Sequence, residues 1–263
     1  MSRTWFRGLT ETLQWRRGEC ELIPEYRQLW LRPCRPPLQA YVLSFPPGPS
    51  IQGQPVYVWF ANAFVRGDRA LLAVIRDFGP LLGPDVKWRC HKEAAGLLHL
   101  SLRVAYAIQH RDGRVLQEIP DVVSMCIEEV DAAGRGSRSD EDRFRDIEEG
   151  LAAEPIAGRG RWQSAGWLLE DLLRSVAISP QVSVGDQRGP LLSSVFGIRD
   201  LQDVAELALV QDLLTGALLM RCGNERCKRN PLFRTFRSVS RYCSRHCQNA
   251  VMQRRHRERR ASS

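Results

Sequence analysis

Lysine is almost missing from this 263-residue chain: Lys87, Lys92 and Lys228 stand against 35 arginines. An Arg-for-Lys bias spread this widely follows coding composition as readily as selection, so no single arginine counts on its own as a phosphate ligand. Long apolar runs are missing too. The longest apolar window, LALVQDLLTGALLM, is interrupted by Gln211 and Asp212 and is too short to cross a bilayer. The first residues, MSRTWFRGLTETLQWRRGEC, have no apolar stretch of the kind a secretion signal needs. No membrane span and a cytoplasmic, reducing location are therefore expected, where cysteines are thiols or metal ligands before they are disulfides. G-x-S-x-G, the P-loop, G-x-G-x-x-G and H-E-x-x-H are absent, which leaves no residue on which to place a catalytic step. The expectation is a protein that is not an enzyme.

What is present is unevenly placed. The net charge is +8, with 43% hydrophobic and 26% charged residues, an ordinary globular composition. Between Arg221 and Ser263 there are 13 Lys and Arg against two acids, Glu225 and Glu258, a local charge of +11. The 220 residues before carry 25 basic and 28 acidic side chains, a charge of −3. The basic excess belongs to the tail alone. The chain divides accordingly into a larger domain, residues 1–220, able to bury its own core, and a small module, residues 221–263.

The larger part reads as α+β and mainly helical. LQAYVLSF suggests a strand ended by a Pro-Pro-Gly turn, and PVYVWFANAF fits a strand at its start and a helix at its end. RALLAVIRDF is a short helix stopped by Gly79-Pro80. A long helix is expected from His91 to His110, with Leu97, Leu98, Leu102, Ala105 and Tyr106 on its buried side. The polar, mixed-charge GRGSRSDEDRFRDIEEG reads as a mobile loop. WQSAGWLLEDLLRSVAI returns to helical spacing, and QVSVGDQRGPLLSSVF suggests two strands about a turn. RDLQDVAELALVQDLLTG is expected as a helix capped by Asp200, with Leu207, Val210, Leu214 and Leu218 on one face, running directly into LLMRC and so docking the tail on the larger domain. His91, His99 and His110 favour core or surface histidines over a second metal site, and Cys20, Cys34, Cys90 and Cys126 read as small buried residues.

The tail holds the other four of the eight cysteines, spaced Cys222-x4-Cys227-x15-Cys243-x3-Cys247. Two close pairs joined by a short loop can converge on a tetrahedral zinc ion, Zn2+, with little closure cost. Zinc–thiolate bonds also supply folding energy that so short a stretch cannot obtain from apolar burial. Two disulfides conflict with a reducing location, and neither pair has the C-x-x-C spacing of a redox site. His246 competes as a donor, but its neighbour Cys247 is preferred, with His246 pointing outward. Four thiolates leave the metal no open position for hydrolytic chemistry. Leu232, Phe233, Phe236 and Val239 are expected as a miniature core under the metal, base stacking by phenylalanine being the alternative.

Ser244 can cap a following helix whose inner side carries Cys247, Ala250, Val251 and Arg254. Arg245, Gln248, Asn249, Met252, Gln253, Arg255, Arg257 and Arg259 then project outward, and five arginines stand against Glu258 alone from Arg254 to Arg260. Such a face binds phosphates through counterion release, unless it is simply a solvated end of the chain. Arg245, Arg254, Arg255, Arg257, Arg259 and Arg260 are the expected phosphate contacts. Asn249 and Gln253, four apart, are placed to reach base edges.

RCGNERC…YCSRHCQNAVMQRRHRERR, preceded by a leucine-rich helix, resembles the C-terminal CGNR zinc finger of bacterial transcription regulators, whose larger N-terminal part is often an ABATE domain. FANAFVRGDRALLAVIRDFGPLLG is similar to the aromatic-Ala-Asn and Gly-Pro-Leu segment of that domain. The second cysteine pair is one residue closer than is usual in the family, and CQNA stands where CGNR is expected. The resemblance implies a treble-clef-like finger that binds DNA and an N-terminal domain that senses a small-molecule or protein effector. A zinc-stapled protein-interaction module of the MYND type, or an RNA-binding tail, are the alternative readings.

Overall fold

The structure, a computed structural model, describes residues 13–17, 20–25, 28–33, 39–43, 50–82, 86–133, 143–153, 156, 160–173, 178–185, 189–196, 200–227 and 231–261. It begins with β1 (Leu13–Arg17), β2 (Cys20–Glu25), β3 (Gln28–Pro33) and β4 (Gln39–Leu43). β1 pairs antiparallel with β4, Leu13 opposite Leu43, and β2 with β3, Cys20 opposite Pro33. The strand expected in LQAYVLSF is β4, while the Pro-Pro-Gly turn and Cys34 lie outside the described residues.

β5 (Ser50–Ile51) and β6 (Gln54–Pro55) form a minimal hairpin that leads into α1 (Val56–Phe64). The ambiguity of PVYVWFANAF is resolved by burial. Every residue of α1 except Trp59 is buried, and a helix bonds its own backbone while presenting apolar side chains on all sides. α2 (Asp68–Phe78) buries Leu71, Val74, Ile75 and Phe78 and stops at Gly79-Pro80, as expected. β7 (Val86–Lys87) extends the edge of β3 and hands the chain to α3 (Trp88–His110), the long helix expected there. α3 packs against α1 and buries Leu97, Leu98, Leu102 and Ala105, with His91 and His99 in the core beside them.

α4 (Gly113–Gln117) is capped by the Asp112 carboxylate, and α5 (Ile119–Ala132) carries Pro120 in its first turn. α6 (Arg143–Ala153) corrects the expected mobile loop: Phe144 and Ile147, one helical turn apart, are buried and hold this charged segment on the core beside α5. Residues 134–142 of that segment are outside the described residues. α7 (Arg161–Leu172) follows, then β8 (Ile178–Gly185) and β9 (Gly189–Phe196), the expected antiparallel pair, whose turn at 186–188 is not described.

α8 (Leu201–Leu214) is capped by Asp200, which accepts from the Asp203 N–H. Its expected apolar face is only partly right, since Leu207 is buried but Leu214 is exposed. The helix also does not run on into LLMRC. The Gly216 N–H donates to the Leu213 carbonyl and the Ala217 N–H to the Asp212 carbonyl, the paired bonds that end a helix at a left-handed glycine, and Gly216 has φ 79°. The chain therefore turns into β10 (Leu218–Arg221), which pairs antiparallel with β11 (Leu232–Thr235), Arg221 opposite Leu232, before the terminal α9 (Arg245–Ala261). The molecule is mainly helical with small antiparallel sheets, and no helix among the described residues is long and apolar enough to cross a membrane. Leu219 and Leu232 belong to the same core as the helices, and residue 220 lies within β10.

Candidate metal centre

The β10–β11 ribbon is held by side chains of the larger domain. The Asn62 amide donates to the Leu232 carbonyl at 2.8 Å and accepts from the Leu232 N–H at 3.3 Å. Gln54 makes the same two-way contact with the backbone of Arg234. On β10, the Gln109 amide donates to the Ala217 carbonyl and accepts from the Leu219 N–H, at 2.8 and 2.9 Å. Each amide substitutes for a strand neighbour and satisfies edge groups that would otherwise be buried unpaired. Asp212 adds a charged tie, accepting from the Tyr57 hydroxyl and from Arg234, both at 2.7 Å. Burial and the Asp212 carboxylate hold the Tyr57 hydroxyl well above its ordinary range.

This ribbon carries the first cysteine pair. The Cys222 N–H donates to the Pro231 carbonyl and the Cys227 N–H to that of Asn224, both at 2.8 Å, bending RCGNERC into a knuckle. The Gly223 N–H donates to the Arg241 carbonyl at 2.6 Å, joining the knuckle to the second pair. A Cβ at Gly223 would sit 3.0 Å from that same oxygen, a tight contact that the backbone would have to relieve by a few tenths of an ångström. Ser244 caps α9 as expected, its hydroxyl accepting from the Cys247 N–H at 3.3 Å, which puts Cys247 in the first turn of the helix.

The four sulfurs converge. Sγ–Sγ separations are 3.5 Å for Cys227–Cys243, 3.5 Å for Cys243–Cys247 and 3.6 Å for Cys227–Cys247, and all four lie within 4.8 Å of one another. Disulfide sulfurs are about 2.05 Å apart, and none of these four cysteines is in a disulfide. Zinc at its usual sulfur distance separates tetrahedral ligands by about 3.8 Å, so the cage fits a metal ion of that size. Burial pushes the Cys243 thiol up, as do its contacts with Cys247 and Cys227. Burial also acts to raise Cys247, but hydrogen bonds led by Asn224 outweigh it and hold that thiol below its ordinary range. His246 is exposed, and no second cluster of this kind occurs among the described residues.

The expected miniature core is half right. Leu232 and Phe233 are buried, Leu232 in the core of the helices and Phe233 outside it, but Phe236 is 57% and Val239 81% exposed. Along α9, Cys247 and Val251 face inward and Ala250 is half-buried. Arg245, Asn249, Gln253, Arg255, Arg257, Arg259 and Arg260 are exposed, while Arg254 is half-buried and donates to Asn224 Oδ1 at 3.0 Å. Arg254 thus has a protein partner on the inner side of α9, the side on which its position in the sequence put it. Gln54, Asn62, Gln109 and Asn224 escaped the sequence reading, although a polar amide within an apolar run, as in VWFANAF, is a usable signal of a buried bond.

A cavity of about 250 Å³ lies between α6 and α7, lined by Ile147, Leu151, Ile156 and Trp167 and edged by Asp146 and Asp171. It is smaller than most small-molecule sites. No family model, no curated protein and no solved structure matches the chain. The likeness to the CGNR finger rests on the residues quoted for it.

Proposed function

We propose that the chain is a DNA-binding regulator in which a zinc-loaded module fixes a basic helix against the larger domain. Cys222, Cys227, Cys243 and Cys247 would hold the ion, which supplies a closed structural cross-link and no reactive position. The observation that carries the reading is the place of Cys247: one ligand of the cage is also the first turn of α9, so closing the cage orients a helix with five exposed arginines, Arg245, Arg255, Arg257, Arg259 and Arg260. Those guanidinium groups meet phosphates, and Asn249 and Gln253 face base edges from the same helix. If all five reach phosphates, the logarithm of duplex affinity falls with the logarithm of salt at a slope of about −4.5.

A gel-shift titration of the reduced, zinc-loaded protein on random duplex DNA across salt tests this. A steep slope supports the reading, and no binding at low salt overturns it. A second reading has one observation of its own. Phe236, Val239 and Met252, exposed at 57%, 81% and 55%, are large apolar side chains on the module, as a protein-docking surface would offer. Binding that is insensitive to salt and directed to a protein would favour it. Tighter binding to structured RNA than to duplex DNA would move the reading to an RNA-binding tail.

A further inference from the structure

Arg111 and Arg161 hold their guanidinium carbons 5.2 and 5.1 Å from the centre of one ring, that of Trp162. Arg111 ends α3, whereas Arg161 and Trp162 open α7, which packs against α3. The Arg161 side chain reaches the turn after α3, its Nη1 lying 3.0 Å from the point a Cβ would occupy at Gly113. A second ring continues the row toward the cysteine module. Tyr106 lies against His110 with ring centroids 4.5 Å apart, and the Arg221 guanidinium is 6.0 Å from the Tyr106 ring. His110 Nε2 stands 2.6 Å from the Leu219 carbonyl and fastens this end of α3 to β10. Arg221 directly precedes Cys222, so the row runs from the cage onto the larger domain.

All three arginines are exposed. No acid among the described residues pairs with them, although Arg103 of the same α3 pairs with Glu118. Asp112, next in sequence, is engaged in capping α4 through the Arg114 and Val115 N–H groups. Arg111 also sits at φ 51°, a left-handed conformation that costs a residue other than glycine. The helix dipole at the end of α3 accounts for one cation there. It does not account for a second brought from α7 or a third from β10. A guanidinium held over a ring is steadied by the ring and keeps N–H donors for an anion. Unpaired cations gathered in a domain whose net charge is −3 make a local surface complementary to a polyanion. Both rings are already taken up by cations, so they position arginines for phosphates and are not platforms for bases. We propose that Arg111, Arg161 and Arg221 form a second phosphate-binding surface, by which the larger domain holds the backbone of the same DNA duplex that meets α9. The proposal rests on the reading of the chain as a DNA-binding protein.

The test uses the full chain, zinc-loaded and reduced, binding random-sequence duplex DNA across salt, followed by fluorescence anisotropy. Five contacts from α9 and three from this row steepen the slope from about −4.5 to about −7. Arg111→Gln/Arg161→Gln should make it shallower by about 1.8, and Arg111→Lys/Arg161→Lys should restore it, with zinc content and helical circular dichroism unchanged in both. Arg69→Gln/Arg76→Gln controls for net charge: both residues are exposed on α2, whose Asp68 pairs with Lys92 near the other end of α3. That variant should keep the original slope. A measurement free of substitutions accompanies these, modification of the unchanged protein by an arginine-directed dicarbonyl reagent, read by peptide mass spectrometry. Duplex DNA should protect Arg111, Arg161 and Arg221 and leave Arg69 and Arg76 reactive. An unaltered slope in Arg111→Gln/Arg161→Gln, an equal change in the control, or equal modification with and without DNA overturns the second surface and leaves α9 as the DNA contact. An unchanged protein with no affinity for the duplex overturns the DNA reading itself, a result distinct from binding that ignores Arg111 and Arg161.

Discussion

Gln54 and Arg234 meet across 180 residues of sequence as though they were neighbours in a sheet: the Gln54 amide donates to the Arg234 carbonyl at 3.0 Å and accepts from its N–H at 2.8 Å. With Asn62 repeating the contact at Leu232, the outer edge of β11 is closed by two side chains, not by a strand. An edge closed this way is held in one register, because shifting it by a residue loses both amides at once. The position of the cysteine knuckle relative to the helices follows from these contacts.

Gln54→Ala should destabilise the protein by about 1–3 kcal/mol, because a part-buried N–H and carbonyl lose their partners together. The loss should be local before it is global. Hydrogen exchange at the amides of Arg234 and Leu232 should accelerate while that of α3 is unaffected, and equal acceleration in both would show that the clamp has no separate role.

Lys92 presents an asymmetric case. It is buried between Asp68 at 3.1 Å and Glu129 at 2.7 Å, and both carboxylates are nearly half exposed. Removing the lysine leaves two acids that water can solvate, so Lys92→Met should cost less than about 1 kcal/mol. Removing both acids strands a buried ammonium, so Asp68→Ala/Glu129→Ala should cost about 3 kcal/mol or more. Urea midpoints of the two variants decide the order, and the reverse order would mean that the acids carry the folding penalty.

The buried histidines set the acid limit. Burial lowers His91 to about 4, and burial together with Arg103 lowers His99 to about 4. Below the unfolded value of about 6.5 the unfolded chain binds protons that the folded one refuses, so stability is complete above that pH and falls as pH drops toward 4, by up to about 3 kcal/mol for each histidine. Neither ring nitrogen of His91 has a hydrogen-bond partner, so His91→Leu should be neutral or stabilising at pH 7 and should flatten the pH dependence. Melting temperatures of both proteins between pH 7 and 4.5 check this, and parallel curves would contradict it.

Gly223→Ala should weaken metal binding without unfolding the helices. The new methyl meets the Arg241 carbonyl at 3.0 Å, a backbone atom, so relieving the contact shifts the knuckle by a few tenths of an ångström relative to the second cysteine pair. Competition of the variant against a calibrated chelator should show a loss of about tenfold or more in zinc affinity. An unchanged affinity would mean the two pairs can separate without opening the cage.

How legible the site was depended on the range of the interaction. The four cysteines and the cap at Ser244 are matters of spacing within a short segment, and the geometry agrees with them. The arginines of α9 were legible as a charged face, but the Asn224 partner of Arg254 was not, because it lies thirty residues upstream. α6 was missed for a related reason: local composition around Phe144 and Ile147 is polar, and only contact with the core shows why those two side chains order the rest. The end of α8 is the opposite case. Gly216 was a local stop signal in plain view, and a continuous apolar pattern across LLTGALLM concealed it. The amide clamps pair residues more than a hundred positions apart, beyond any periodicity argument.

The division of labour along α9 gives the last prediction. Arg255, Arg257 and Arg259 are exposed, whereas Arg254 is turned to Asn224. If the helix binds DNA as proposed, replacing Arg255, Arg257 and Arg259 with alanine would remove three phosphate contacts while leaving the four cysteines, Asn224 and Arg254 unchanged. Zinc content and the melting temperature should therefore be unchanged, while the salt slope for duplex DNA becomes shallower by about 2.7 and affinity at moderate salt falls by orders of magnitude. Arg254→Ala should do the reverse, with a small effect on the slope and a measurable one on zinc retention. If the triple variant instead sheds zinc, the basic face is part of the module's own stabilisation. If Arg254→Ala changes the slope as much as each of the others, Arg254 exchanges Asn224 for a phosphate when DNA is bound.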